Sequence, residues 1–256
     1  MTSRLLAGDT TEIPVLDVGV QPMCPSTVID WIDDRVGESA LLLNHNLHSL
    51  YIHQTSEEFR AAYAMSDATL VDGFPVLLAV NYIRLREKKG LVARDKRTGS
   101  LDWIRLLGRS RKVRRIAVLG ASKNSNLHAC QYIRSLDPRF VVQGWDGYDE
   151  MSLLRDSGFR DLHRFEPDLV LLGLGMPLQE EVIVKAGTEM PDAVVATVGG
   201  AIDQLSGVQK SAPRWMGRVG VEWIFRLVHD PRRLYHRYLV EPWLLARAVR
   251  RPKVRA

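Results

Sequence analysis

The chain is poor in cysteine: Cys24 and Cys130 are the only two in 256 residues, and they form no C-x-x-C. That excludes a disulfide framework and fits a reducing cytosol. Long apolar runs are missing too. The longest, near Leu169 to Leu178, falls well short of the ~18–20 residues that span a bilayer and reads as a buried strand with its exit loop. The N-terminus carries no basic-then-apolar signal segment. A complete dinucleotide fingerprint is absent: V-L-G-A-S (Val118 to Ser122) has one glycine where G-x-G-x-x-G needs three, and Asp137 and Asp146 only loosely occupy the place of its acidic partner. This weighs against a nicotinamide-dependent oxidoreductase. His45, His48 and His53 follow no zinc spacing, so no metal site is expected. No helix-turn-helix or RNA-module signature supports a non-enzymatic nucleic-acid binder.

What is present is ordinary for a globular protein, with 46% hydrophobic and 25% charged residues. The length suits one large domain, or one domain with an appendage. Charge divides the chain more sharply than hydrophobicity does. Lys210 to Ala256 holds 12 Lys/Arg and 3 Asp/Glu, against 23 and 27 in the rest. The same segment contains three of the six tryptophans, Trp215, Trp223 and Trp243, beside Tyr235 and Tyr238. We therefore divide the chain into a core, 1–209, and a basic, aromatic-rich helical appendage, 210–256. Interleaved Arg and Trp/Tyr suit a helix lying in an anionic membrane interface.

Within the core, short apolar runs alternate with helical stretches. Strands are expected over Glu12–Val18, Ala40–Leu43, Ala68–Val71, Arg115–Gly120, Arg139–Gln143, Asp168–Leu172 and Ala193–Val198. Helices fall between them, for example over Phe74–Glu87, Asn124–Leu136 and Leu178–Ala186, and Gly144 to Glu150 reads as a loop. Alternation of this kind predicts an α/β fold: a Rossmann-like, mostly parallel sheet with helices on both faces.

Polar residues collect where the strands end, the edge at which open α/β sheets bind ligands. They are Asn44 and Asn46, Asp72, Ser122, Gln179 and Glu180, and Asp203. Asp72 ends a strand in D-A-T-L-V-D-G-F-P, followed by Gly73 for a sharp turn and Pro75 for the first turn of a helix. A carboxylate there can take a proton from a hydroxyl nucleophile, or it can simply cap the helix. Amides hold sugar hydroxyls or uracil edges. The turns at Gly120 and Gly199 can present N–H groups to phosphate. Asp146 and Asp149 share one loop and read as a solvated turn rather than a cation grip. Arg94, Lys96 and Arg97 read as a solvated charge run unless a phosphate lies beside them.

The order of these residues resembles the WecG/TagA/CpsF glycosyltransferases. The resemblance rests on Asn44-x-Asn46, Asp72-Gly73, Gly120 after a strand, and Gly144 to Tyr148. It continues through G-L-G-M-P-L-Q-E (Gly173 to Glu180), V-G-G-A-I-D (Val198 to Asp203) and A-P-R-W (Ala212 to Trp215). G-V-E-W-I-F-R (Gly220 to Arg226) and Asp230 to Arg233 complete it, so it covers nearly the whole chain. It implies an inverting transferase that moves a sugar (N-acetylmannosamine, its uronic acid, or glucose) from a UDP-sugar to a polyprenyl-diphosphate-linked saccharide. The setting would be cell-surface polysaccharide synthesis on the inner face of the cytoplasmic membrane. It further implies Asp72 as general base, Gln179 as a substrate contact and Asn46 lining the pocket. No metal or other cofactor is implied, and the C-terminal appendage would target the membrane and help complete the site.

Departures from the family pattern fall near the substrate. Asn44 stands where Thr is frequent, Leu101 where Asp is common, and Val182-Ile183 where a Trp is expected. The loop cation is Lys96 or Arg97. With Arg214 and Arg226 of the appendage, it is a candidate to neutralise the departing diphosphate. Gly73, Gly120, Glu180 and Asp203 complete the set of expected substrate-binding positions.

Overall fold

A computed structural model describes residues 10–208, 216 and 222–250. Its centre is a six-stranded sheet, parallel throughout, with strands β3 (Ala40–His45), β4 (Ala68–Val71), β5 (Arg115–Gly120), β6 (Val141–Trp145), β7 (Leu169–Gly173) and β8 (Val194–Thr197). The spatial order is β4-β3-β8-β7-β5-β6. Most strand residues are buried, as a parallel sheet covered on both faces requires. Successive side chains feed two apolar layers. Leu42, Ile116, Val118, Leu171 and Ala196 face one, with Trp103 and Ile133; Leu43, Leu119, Leu172 and Val195 face the other, with Phe59 and Val182.

Chain direction fixes where a crevice opens. From β5 the chain moves outward to β6, whereas from β7 it moves inward to β8. The switch therefore lies between β5 and β7, whose last paired residues are Gly120 and Gly173. Crevices outside the carboxyl ends of strands at such a switch are where α/β sheets bind ligands. The backbones meet closely there. A Cβ on Gly120, whose φ is +124°, would stand 2.3 Å from the Gly173 carbonyl oxygen.

Two strand expectations need correction. The expected strand Glu12–Val18 is a hairpin outside the main sheet, β1 (Thr11–Ile13) antiparallel to β2 (Val18–Val20). Pro14 supplies no N–H, and Asp17 adopts φ +57°, so the chain turns between them. The sixth strand runs to Trp145, through glycine that reads as loop. Gly144 lies under a side chain of the neighbouring helix, and a Cβ there would come within 1.9 Å of Asn126 Oδ1. Only hydrogen fits, so this glycine marks a close approach inside a strand rather than its end.

The C-terminal segment is helical where described: Glu222–His229, Pro231–Tyr235, a π-helical stretch His236–Val240, and Glu241–Arg250. The last of these packs against α2 (Leu47–Thr55). Its Leu245 is buried in a third apolar cluster with Ile13, Leu16, Leu50 and Val80, which joins the first and last parts of the chain.

Candidate functional site

Asp72 follows β4 directly. Its backbone N–H is held by the His45 carbonyl at 2.9 Å, which fixes it beside the end of β3. Gly73 (φ +91°) then turns the chain into the helix Phe74–Arg86, with Pro75 in its first turn. The N-cap position itself is Gly73, which has no side chain to cap with. Distances place two groups at the Asp72 carboxylate. Asn46 Nδ2 stands 3.5 Å from Asp72 Oδ2, and a Cβ on Gly99 would stand 3.1 Å from Asp72 Oδ1. Glycine at 99 thus keeps one side of the carboxylate clear.

Asn46 has a structural role as well as a candidate one. Its side chain caps α2 by accepting from Ser49 N at 3.1 Å, and Ser49 Oγ accepts from Asn46 N at 2.8 Å. This reciprocal box orients the amide so that Nδ2 points at Asp72. Asn44, two residues earlier, lies deeper. It is buried, its Nδ2 donates to the Thr197 carbonyl at 2.9 Å, and its own carbonyl accepts from Tyr63 Oη at 2.6 Å. It ties β3 to β8 beneath the mouth.

The loop 94–99 runs alongside β4, where Thr98 N donates to the Val71 carbonyl at 2.9 Å. Arg97 is half-buried and Lys96 exposed. Arg97 is therefore the one held closer to the protein surface by the loop's anchoring.

Gln179 and Glu180 begin the helix Leu178–Ala186, and both are fully buried. Gln179 Oε1 accepts from Gly199 N at 3.2 Å, and its Nε2 donates to Glu180 Oε1 at 2.8 Å. Gln179 thus holds the Gly199-Gly200 turn, and Glu180 holds Gln179. Burial pushes the Glu180 carboxyl up to about 8, only partly offset by the bond from Gln179. Among the described residues, its Oε2 and the Thr197 hydroxyl have no hydrogen-bond partner. Tyr63 lies within electrostatic reach of Glu180 and Asp72; burial first, and then these charges, raise its phenol well above the ordinary value. His45 stacks on Tyr63 at 4.1 Å, and burial, helped by His53, holds it well below the usual imidazole range. A neutral polar layer therefore lies under the carboxyl ends of β3 and β8.

Asp203 is half-buried in the first turn of the short helix Ala201–Leu205. Asp146 is buried and accepts from Tyr148 N at 2.8 Å, so its loop is a tied turn rather than a solvated one. No group of three or more His, Cys, Asp or Glu side chains with metal-binding geometry occurs among the described residues. Arg214 lies outside the described residues, as does the side chain of Arg226, although the backbone of Arg226 is part of the helix Glu222–His229.

Four contributors have no motif in the sequence. Arg237 Nη2 reaches to 3.5 Å from Asn46 Oδ1, bringing a guanidinium from the C-terminal segment to the amide that also faces Asp72. Glu241 pairs with His48 at 2.6 Å and with His236 at 3.4 Å. Burial would raise the Glu241 carboxyl, but the His48 and His236 bonds and the nearby Arg237 charge outweigh it and hold the group below its usual value. One signal was available: Glu241 is one of three acids in a segment with twelve cations.

Comparison with known proteins points one way. The profile of the glycosyl transferase WecG/TagA/CpsF family matches residues 13–256. A Bacillus subtilis (strain 168) protein named N-acetylglucosaminyldiphosphoundecaprenol N-acetyl-beta-D-mannosaminyltransferase is 32% identical over 203 residues, covering 78% of this chain and 75% of its own. A protein of the same name from Bacillus spizizenii is 27% identical, over 79% of this chain and 76% of its own. One from Staphylococcus aureus (strain MW2) is 29% identical over 47% of this chain and 46% of its own.

Proposed function

We propose, from the premise that this chain belongs to the WecG/TagA/CpsF family of glycosyltransferases, that it moves an N-acetylmannosamine-type sugar from a UDP-sugar to a polyprenyl-diphosphate-linked N-acetylglucosamine, with inversion. The observation that carries the reading is the carboxylate of Asp72. It stands at a strand end with Asn46 Nδ2 at 3.5 Å and one side kept clear by Gly99, and an arginine from the C-terminal segment reaches the same Asn46.

Asp72 accepts the acceptor hydroxyl's proton as that oxygen attacks the anomeric carbon from the face opposite the departing nucleotide. A carboxylate is a weak base. It suffices when the proton moves late, after bond formation has made the hydroxyl acidic. Asn46 orients the carboxylate. The donor's diphosphate lies over the switch-point crevice, between the Gly120 turn and the Gly199-Gly200 turn, whose Gly199 N–H is already held by Gln179. Gln179 and Glu180 act there by fixing the Gly199 turn. Departing charge is balanced by side chains in place of a metal: Arg97 or Lys96 from the loop, with Arg214, Arg226 and Arg237 from the C-terminal segment.

The segment also carries the enzyme to its acceptor. No helix among the described residues is long and apolar enough to cross a membrane. Trp223, Ile224, Val228 and Trp243 are nonetheless exposed among arginines. That combination suits peripheral binding to an anionic surface, the inner face of the cytoplasmic membrane.

The test is nucleotide release from a UDP-sugar panel with the lipid-linked acceptor, with EDTA present, for wild type and Asp72→Asn. One sugar should react, chelation should not matter, and the variant should lose ~10²–10⁴-fold. Equal rates for the two proteins would remove Asp72 as base.

A further inference from the structure

Among the described residues there is a shallow, open apolar groove that the reaction chemistry does not use. It has a volume of about 290 Å³ and lies between the β1–β2 hairpin, the helix Phe74–Arg86 and the last helix, Glu241–Arg250. Ile13, Leu16, Ala79, Tyr82, Ile83 and Leu245 supply most of its wall. Tyr82 is 59% exposed at its rim, and Leu78 and Leu85, on the same face of that helix, are exposed as well.

Its position relative to Asp72 suggests its occupant. The last helix begins at Glu241, which bonds His48 two residues from Asn46. Just before it stands Arg237, 3.5 Å from Asn46. Leu245, in the groove wall, follows Arg237 by roughly 12 Å of helical rise. Along the chain, then, an arginine that reaches the Asn46 amide facing Asp72 is followed by the wall of the apolar groove. A sugar, a diphosphate and a hydrocarbon chain follow one another in a single lipid-linked acceptor. A bilayer surface, by contrast, is met by side chains that protrude, as Trp243 does at 78% exposure, and does not fill a hollow. The volume lies at the small end of small-molecule sites, about 300–1,000 Å³, enough for the first few isoprene units and not for a whole polyprenyl chain.

We propose that this groove binds the diphosphate-proximal isoprene units of the lipid-linked acceptor, so that the chain as well as the sugar is recognised. The proposal rests on the acceptor class given above.

Direct binding tests it without turnover. Farnesyl diphosphate and inorganic diphosphate are titrated into the full-length protein by calorimetry in detergent-free buffer. The same titrations are run on Ala79→Phe, which fills the groove from within, and on Ala246→Phe, which fills it from an exposed wall position and keeps the fold if the first does not. Wild type should bind farnesyl diphosphate at least tenfold more tightly than diphosphate. Both variants should lose that gain while their diphosphate affinity stays within about twofold. No gain in wild type, or a gain that survives both substitutions, overturns the proposal. So does displacement of farnesyl diphosphate by a short-chain phosphatidylglycerol of equal affinity, which would make the groove a general bilayer contact. Transfer to a short-chain acceptor is measured in parallel: its absence beside an intact farnesyl gain would count against the transferase reading and not against the groove.

Discussion

Replacing Glu180 with Gln tests whether the buried layer beneath the site is neutral. Glu180 is fully buried, and its carboxyl is raised from 4.5 to about 8. A carboxyl raised on folding binds its proton more tightly in the folded state. Its contribution is therefore fully present below pH 4.5 and is lost as pH rises toward 8. Between pH 6 and pH 8 the linkage relation gives a loss of about 2 kcal/mol for this one group. With an unfolding entropy near 2.1 cal/mol/K per residue, a chain of this length should lose about 4 °C of Tm over that interval on account of Glu180. Gln keeps the oxygen that accepts from Gln179 Nε2 and cannot ionise. Glu180→Gln should therefore melt with wild type only near and below pH 4.5, about 4 °C above it at pH 6 and about 8 °C above it at pH 8. Scanning calorimetry across pH 6–8 in matched buffers reads the difference. Parallel Tm curves for the two proteins would mean that Glu180 is already ionised, or hydrated, in the fold, and the account of the layer would be wrong.

Other consequences can be checked more briefly. Gly120→Ala places a methyl 2.3 Å from a backbone oxygen at φ +124°, so urea unfolding should show a loss of at least about 3 kcal/mol. Glu241→Gln breaks two charge-assisted bonds to His48 and His236; hydrogen exchange should show docking of the Glu241–Arg250 helix weakened by about 1.5–3 kcal/mol at neutral pH. Because the Glu241 carboxyl is held below its usual value, its contribution is present above pH 4.5 and disappears as pH falls through the folded value. Wild type and Glu241→Gln should therefore converge in acid; a gap that persists there would refute the pairing.

Strands and helices were legible where the run is bounded by residues that must leave it. Ala68–Val71 lies between Asp67 and Asp72, and Leu178–Ala186 lies between Pro177 and Gly187, and both match the expected bounds. Legibility failed where one residue type serves two purposes. Gly144 reads as loop because glycine usually marks one, yet it is a strand residue under Asn126. Pro14 and Asp17 turn the chain inside what periodicity presents as a single strand. At the site, Asp72 and Asn46 could be found because a strand end and a helix start place them. Arg237 and Glu241 could not, because their partners lie 191 and 193 residues away and no spacing rule connects them.

These long-range contacts also bear on how the site is completed. Arg237 reaches Asn46 from a segment whose neighbouring helix is fastened to α2 through Glu241 on His48 and through Leu245 in the third apolar cluster. One fastening is electrostatic and weakens in acid; the other is apolar, and Leu245 both packs in that cluster and lines the groove. A ligand that fills the groove only when this helix is docked must stabilise docking, by an amount set by its concentration over its Kd. By the same linkage, a docked helix must tighten that ligand. The hydrocarbon chain of an acceptor would then do more than add affinity: it would favour the arrangement in which Arg237 reaches the Asn46 amide that faces Asp72. A soluble, chain-free acceptor analogue lacks that contribution, so part of its deficit should appear in kcat and not only in KM.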